Sequence, residues 1–208
     1  MTSLTVTNSE TTITDSEAQA LLRAGQAAGT GATLWFTGLP SAGKSTIAHA
    51  VADDLRSAGL RVQVLDGDEV RPHLSAELGF SREARDTNVR RIGYVARLLA
   101  AQGVIVLVPV IAPYAEARTA VRADHHAHDV PFAEIFVSTS LALAESRDVK
   151  GLYARARRGE LSGMTGVDDP YEKPSSAELV IDTGRVDLAT SVELSKALLT
   201  AIVDGELS

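Results

Sequence analysis

A chain of 208 residues is long enough for one sizeable α/β domain and short for two. Apolar residues make up 45% and charged residues 23%, an ordinary globular balance, and the formal charge of −7 disfavours generic binding to nucleic acid or anionic membrane while leaving room for a local basic pocket. The lack of cysteine excludes disulfides, zinc–thiolate sites and thiol catalysis, and no apolar run approaches the roughly 18 residues of a membrane helix.

Residues 1–14 are polar and rich in Thr and Ser. They lack the basic start and apolar core of a signal peptide, so they read as a loose tail on a cytoplasmic protein. Ser16-Glu17-Ala18-Gln19 is a capping-box pattern and predicts a short helix, followed by a glycine-rich link over residues 25–31. The organisation expected is a tail and short helix over residues 1–30 and one domain over residues 31–208.

That domain opens with a β-rich run, residues 33–37, ended by Gly38. Ile47, Ala48, Val51, Ala52 and Leu55 then recur at helical spacing until Gly59. Residues 61–65 read as a second strand that stops at Asp66-Gly67-Asp68. Ser81 can cap a long helix reaching about Gln102. Residues 104–111 form an apolar third strand, as expected for one covered on both faces. A helix over residues 114–128, strands at 132–137 and 179–181 and a closing helix at 188–203 complete the pattern. Strands alternating with helices argue for a parallel sheet with crossover helices. The polar stretch 148–174, rich in Arg, Gly and Asp, breaks this rhythm and reads as a lid.

Chemistry enters with Gly38-Leu39-Pro40-Ser41-Ala42-Gly43-Lys44-Ser45-Thr46, which matches G-x-x-x-x-G-K-[ST] between a strand and a helix. Glycines let the backbone curl so that several N–H groups face one anion, and the helix adds the positive end of its dipole. Gly38, Ser41, Ala42, Gly43, Lys44, Ser45 and Thr46 are therefore the expected ATP-binding residues. Lys44 reaches the β- and γ-phosphates, and the Ser45 hydroxyl can ligate Mg²⁺. Asp66 and Asp68 follow the second strand at the same carboxyl edge of the sheet, where such carboxylates can hold Mg²⁺ or take a proton from an acceptor hydroxyl. Asp-Gly is also ordinary turn chemistry. The third strand ends without an acidic residue and no Asn-Lys-x-Asp pattern occurs, which favours a small-molecule kinase over a switch GTPase or motor ATPase.

Arg71, Arg82, Arg85, Arg90 and Arg91 crowd into one short stretch of an acidic chain. Arg85 and Asn88, three apart, share a helix face, and guanidinium groups match phosphate or sulfate oxygens. Arg82, Arg90 and Arg91 read equally well as a solvated helix face. His125, His126 and His128 read as a helix-end or surface group rather than a metal site. Trp35, inside a strand, reads as core.

Taken together these segments resemble the adenylyl-sulfate kinases. The likeness runs through Trp35-Phe36-Thr37-Gly38-Leu39, Asp66-Gly67-Asp68-Glu69-Val70-Arg71, Leu78-Gly79-Phe80-Ser81, Arg85, Asn88 and Arg91-Ile92-Gly93. It continues in Arg147-Asp148-Val149-Lys150-Gly151-Leu152-Tyr153 and in Gly163-Met164-Thr165-Gly166-Val167-Asp168-Asp169-Pro170-Tyr171-Glu172. The resemblance implies a three-layer α/β P-loop kinase fold with a central parallel five-stranded sheet and a lid. It implies transfer of the γ-phosphoryl of ATP to the 3′-hydroxyl of adenosine 5′-phosphosulfate (APS), giving 3′-phosphoadenylyl sulfate (PAPS) and ADP in sulfate activation. Lys44 and Asp66 would be catalytic, and Ser45 and Asp66 would attend Mg²⁺. Asp68, Arg71, Phe80, Arg85, Asn88, Ile111, Ala112, Lys150, Gly163 and Met164 would hold APS, with Phe80 stacked on adenine. A homodimer and a functional link to an ATP sulfurylase are also implied.

Three positions depart from the family pattern. Ala112 stands where many members have Ser, so a phosphoenzyme at that position is excluded and transfer must be direct. Ala115 replaces a frequent basic residue and Met164 a frequent Phe, a less rigid surface for a ring. Two other readings stand beside this one: a P-loop kinase for another small alcohol, and an idle nucleotide-binding module that regulates a sulfurylase.

Overall fold

The computed structural model describes residues 15–205 apart from 28; the expected N-terminal tail lies outside the described residues. The elements in order are α1 (Asp15–Ala27), β1 (Ala32–Thr37), α2 (Lys44–Ser57), β2 (Val62–Val64), α3 (Gly67–Leu74), α4 (Arg82–Ala100) and β3 (Ile105–Pro109). They continue with α5 (Ala115–His126), β4 (Phe132–Val137), α6 (Leu141–Arg147), α7 (Leu152–Arg157), β5 (Leu179–Ile181) and α8 (Leu188–Val203). All strand pairs are parallel, in the order β2-β3-β1-β4-β5.

Strand periodicity builds the three layers. Along β1, Leu34 and Phe36 join one core with Ile105 and Leu107 of β3, while Trp35 joins the other with Val106 and Val108. The first core is closed by Ile47, Val51 and Leu55 of α2 and Leu198, Leu199 and Ile202 of α8. The second is closed by Val89, Ile92 and Ala96 of α4 and Ala117 and Val121 of α5. Every residue of β1 and β3 is buried, which is why β3 is apolar without alternation, while β1 buries Thr33 and Thr37 with its apolar residues. Trp35 is fully buried and is core.

Chain order places the chemistry. With β1 and β3 central and parallel, the loops after β1, β2 and β3 all leave from one edge of the sheet. Each following helix has its own start: Asp66 caps α3 by accepting from Asp68 N, and Ser81 caps α4 by accepting from Ala84 N. Gly93 lets α4 approach α5, since a Cβ there would sit 2.5 Å from Val121 Cγ2.

Some elements differ from the sequence expectation. Helix α1 runs through Gly25 to Ala27, where a link was expected, because the bare Gly25 fits against Val203 of α8. The same helix inserts Leu22 into the first core, and Gln26 exchanges hydrogen bonds with Arg61 N and O. Helix α3 stands where only a turn was expected, and α6 and α7 were not anticipated. β2 and β3 are shorter than their apolar runs, and α4 ends at Ala100 rather than Gln102. His125 corrects the helix-end reading of its tract: it is fully buried, with Nε2 3.0 Å from Thr33 Oγ1 and Nδ1 2.9 Å from Val121 O. Burial lowers its pKa. No helix among the described residues is long and apolar enough to cross a membrane.

Candidate active site

Gly38, at φ 153°, ends β1 where a Cβ would meet Val137 O at 2.5 Å, so the chain turns there only as glycine. Gly43 caps α2 in the left-handed conformation, φ 104°, and Ser41 shares that region at φ 58°. These turns wrap the loop 38–43 around the N-terminus of α2, where unpaired N–H groups and the helix dipole favour an anion.

Lys44 stands at this point. It is 8% exposed, and its Nζ donates to Gly38 O (3.0 Å) and Leu39 O (2.7 Å). Burial pushes its pKa down to about 8, against the attraction of Asp68 and Asp66. Beside it, Ser45 Oγ donates to Asp66 Oδ2 at 2.5 Å, while Asp66 Oδ1 accepts from Asp68 N at 2.9 Å. One short element thus aims a buried carboxylate at the first turn of α2. Among the described residues no group of three or more His, Cys, Asp or Glu gathers as a metal centre.

Next to this loop, Phe80 is 66% exposed and lies close to two guanidinium groups, Arg71 Cζ at 4.5 Å and Arg85 Cζ at 5.7 Å from its ring centre. Arg71 donates to Leu78 O and Gly79 O. Burial, then the neighbouring Arg85, lowers the Arg71 pKa. Arg85 donates to Phe80 O, to Thr165 Oγ1 (3.1 Å) and to Gly163 O. Asn88, one turn further on, is buried with its Oδ1 unpartnered. A buried polar atom without a partner is uncommon, and Asn88 lines a cleft. Lys150 crosses to Asp68 as an ion pair.

These groups share one cleft of about 560 Å³. Its lining unites Ser41, Ala42, Gly43, Lys44, Ser45 and Thr46 with Asp68, Arg71, Phe80, Arg85, Asn88, Ile111, Ala112 and Lys150. Gly38, Asp66, Gly163 and Met164 do not line it. Asp66 sits beneath Ser45 through its hydrogen bond, and Gly163 stands behind Arg85. Met164 packs with Tyr153 of the same 148–174 segment and with Ala144 of α6. Arg82, Arg90 and Arg91 stay outside the cleft, paired with Glu172, Glu116 and Glu77, as a solvated face would be.

A further set of lining residues escaped the sequence reading. Arg147, Thr183, Val186, Asp187, Leu188 and Ser191 form the end of the cleft beyond the loop. Arg147 donates to Thr183 Oγ1 (2.8 Å) and Thr183 O (2.9 Å), while Thr183 and Thr139 both donate to Ala42 O. The signal was present at Arg147, which opens the Arg-Asp-Val-Lys-Gly motif. Within the 148–174 stretch, Tyr153 is fully buried and its hydroxyl donates to Pro40 O, which fastens that segment to the loop.

Known proteins resemble this chain over most of its length. A "Probable adenylyl-sulfate kinase" of Synechocystis sp. is 54% identical over 162 residues, 78% of this chain and 89% of that protein. An "Adenylyl-sulfate kinase" of Picosynechococcus sp. is 51% identical over 172 residues, 83% of this chain and 95% of that one. Among solved structures, the Mycobacterium tuberculosis APS kinase CysC in complex with AMPPNP and APS superposes with a TM-score of 0.78 at 44% identity, covering 81% of this chain and 98% of that one. The family model described as Adenylylsulphate kinase matches residues 30–182, most of the chain, and the chain belongs to that family.

Proposed function

We propose that this protein transfers the γ-phosphoryl group of ATP to the 3′-hydroxyl of APS, yielding PAPS and ADP. One observation carries the reading: a phosphate-binding loop and an aromatic ring flanked by two arginines open into the same cleft. A triphosphate on the loop and a sulfonucleotide at Phe80 would meet end to end there.

The donor phosphates bind to the amides of residues 38–43 and to Lys44, whose buried ammonium gains an anionic partner. The donor nucleoside extends toward Arg147, Thr183 and Leu188. The acceptor adenine stacks on Phe80. Arg71 and Arg85 exchange backbone carbonyls for sulfate or phosphate oxygens, and Asn88 Oδ1 finds a donor. Asp66 accepts the proton of the 3′-hydroxyl as it attacks. The oxygen-only pair of Ser45 and Asp66 fits Mg²⁺, which typically takes one or two protein oxygens with substrate phosphates. Ser45 and Asp66 would hold it, and when bound it supplies charge neutralisation at the phosphate oxygens. Residues 148–174 act as the lid and exclude water that would otherwise accept the phosphoryl group. Ala112 cannot carry phosphate, so transfer is direct. A homodimer, a link to an ATP sulfurylase and a cytoplasmic location complete the proposal, on the family resemblance and the cysteine-free composition.

Coupled ADP release from the purified chain with APS, AMP, gluconate and a nucleoside as alternative acceptors tests it. APS alone should drive turnover. Preference for another alcohol would replace the acceptor assignment, and no turnover with tight APS binding would leave a regulatory module.

A further inference from the structure

The acceptor side of the cleft has a wall, residues 110–113, that no regular element supports. At its centre Ala112 holds φ +43°, a conformation that side-chain-bearing residues avoid. Something must keep it there. Thr37 Oγ1 donates to Ile111 O at 2.6 Å. A second hold comes from Arg118 on α5, which is 4% exposed and does not reach the cleft.

Arg118 has three polar engagements, and its guanidinium also lies over the Tyr171 ring, 5.8 Å from the ring centre. Its Nη1 donates to Ala112 O at 2.7 Å, and its Nη2 donates to Glu172 O at 2.7 Å. Its Nε lies 2.8 Å from Glu134 Oε1, a buried ion pair from β4 in which no N–H is aimed at that oxygen. Glu172 N in turn donates to Pro113 O, which closes the connection between the wall and the end of the 148–174 segment. A buried ion pair is weak evidence for stability, since apolar residues of similar volume often serve as well. The fork geometry is the informative feature: one planar group reaches two carbonyls on different segments from two separate nitrogens in a fixed orientation, which a single ammonium nitrogen does not reproduce.

We propose that Arg118 is a positioning residue for the acceptor: with Glu134 balancing its charge, its bonds to Ala112 O and Glu172 O hold Ala112 in the left-handed conformation and couple the acceptor wall to the base of the lid. The proposal rests on the phosphotransfer reading above. It places the effect of Arg118 on APS and not on ATP, whose loop it does not touch.

The test begins with wild-type protein, ATP and APS; absence of APS-dependent ADP release there would sink the functional reading and not the positioning role. With activity established, the double variant Arg118→Met/Glu134→Leu removes both charges at once, and Arg122 remains paired with Glu178. It should unfold cooperatively in urea, while KM for APS rises at least about 10-fold and KM for ATP stays within about 2-fold. Arg118→Lys keeps the charge but replaces the two-nitrogen fork by one nitrogen, and it should show the same split. Equal changes in both KM values, wild-type KM for APS, or failure of both variants to fold would reduce the pair to a structural role and overturn the proposal.

Discussion

Lys44 makes the apo-protein's stability depend on pH in a direction opposite to most acidic proteins at alkaline pH. Its pKa falls from 10.5 in an unfolded chain to about 8 in the fold, because burial disfavours the ammonium more than Asp68 and Asp66 favour it. Below pH 8 both states carry the proton and the folded state bears the whole cost of a buried charge. Each pKa unit corresponds to about 1.4 kcal/mol, so that cost is about 3 kcal/mol. Between pH 8 and 10.5 the unfolded chain binds more protons than the folded one, so raising the pH favours the fold and the cost disappears. Other groups titrate in this range too, so the comparison must be with Lys44→Met, which fills the same space without titrating. That variant also loses the hydrogen bonds to Gly38 O and Leu39 O, a difference that is constant with pH. Urea unfolding of both proteins in half-unit steps from pH 7 to 10.5 should show wild type gaining about 3 kcal/mol on the variant across the window. Parallel curves would refute the argument that the loop holds a desolvated cation waiting for phosphate.

Three other predictions address separate links. Asp66→Asn should lose at least about 100-fold in kcat with stability retained, because Asn caps a helix as well as Asp; steady-state rates beside urea midpoints decide it, and a variant with normal kcat would remove Asp66 from the chemistry. Phe80→Ala should leave the urea midpoint unchanged, as the ring is 66% exposed, but weaken APS by roughly 1–3 kcal/mol in calorimetric titration. Gly93→Ala should destabilise the fold by about 1–3 kcal/mol through the clash with Val121, and adding Val121→Ala should recover part of that; no recovery would show that the α4–α5 contact is not the cause.

How much of this could be read in the sequence depended on local chemistry. The strand-loop-helix around Lys44 was legible because glycines, an apolar strand and a periodic helix agree with one another. The exact bounds of β4, β5 and α8 followed from sharp edges of apolar runs. Helix α3 was not legible: Asp66-Gly67 is a turn signal, Pro72 lies inside the helix, and no residue of α3 is buried enough to impose a period. Helices α6 and α7 are only 7 and 6 residues long, below the length at which periodicity speaks. His125 looked like part of a polar tract, and only the tertiary contact with Thr33 makes it a core residue. The residues at the Arg147 end of the cleft lie on two separated segments, at 147 and at 183–191, so no spacing joins them. Arg118 is silent for the same reason: its partners, Ala112, Glu134 and Glu172, meet only in the folded chain.

The central claim is that two anionic nucleotides meet in one cleft and exchange a phosphoryl group at a ribose hydroxyl. Phosphorus NMR of a reaction containing the purified chain, ATP, APS and Mg²⁺ tests it most directly. The account predicts a new phosphomonoester resonance on the 3′-oxygen, appearing in step with ADP while the phosphosulfate linkage stays intact. Loss of the ATP γ-signal to inorganic phosphate, or a monoester that forms equally well without APS, would contradict it.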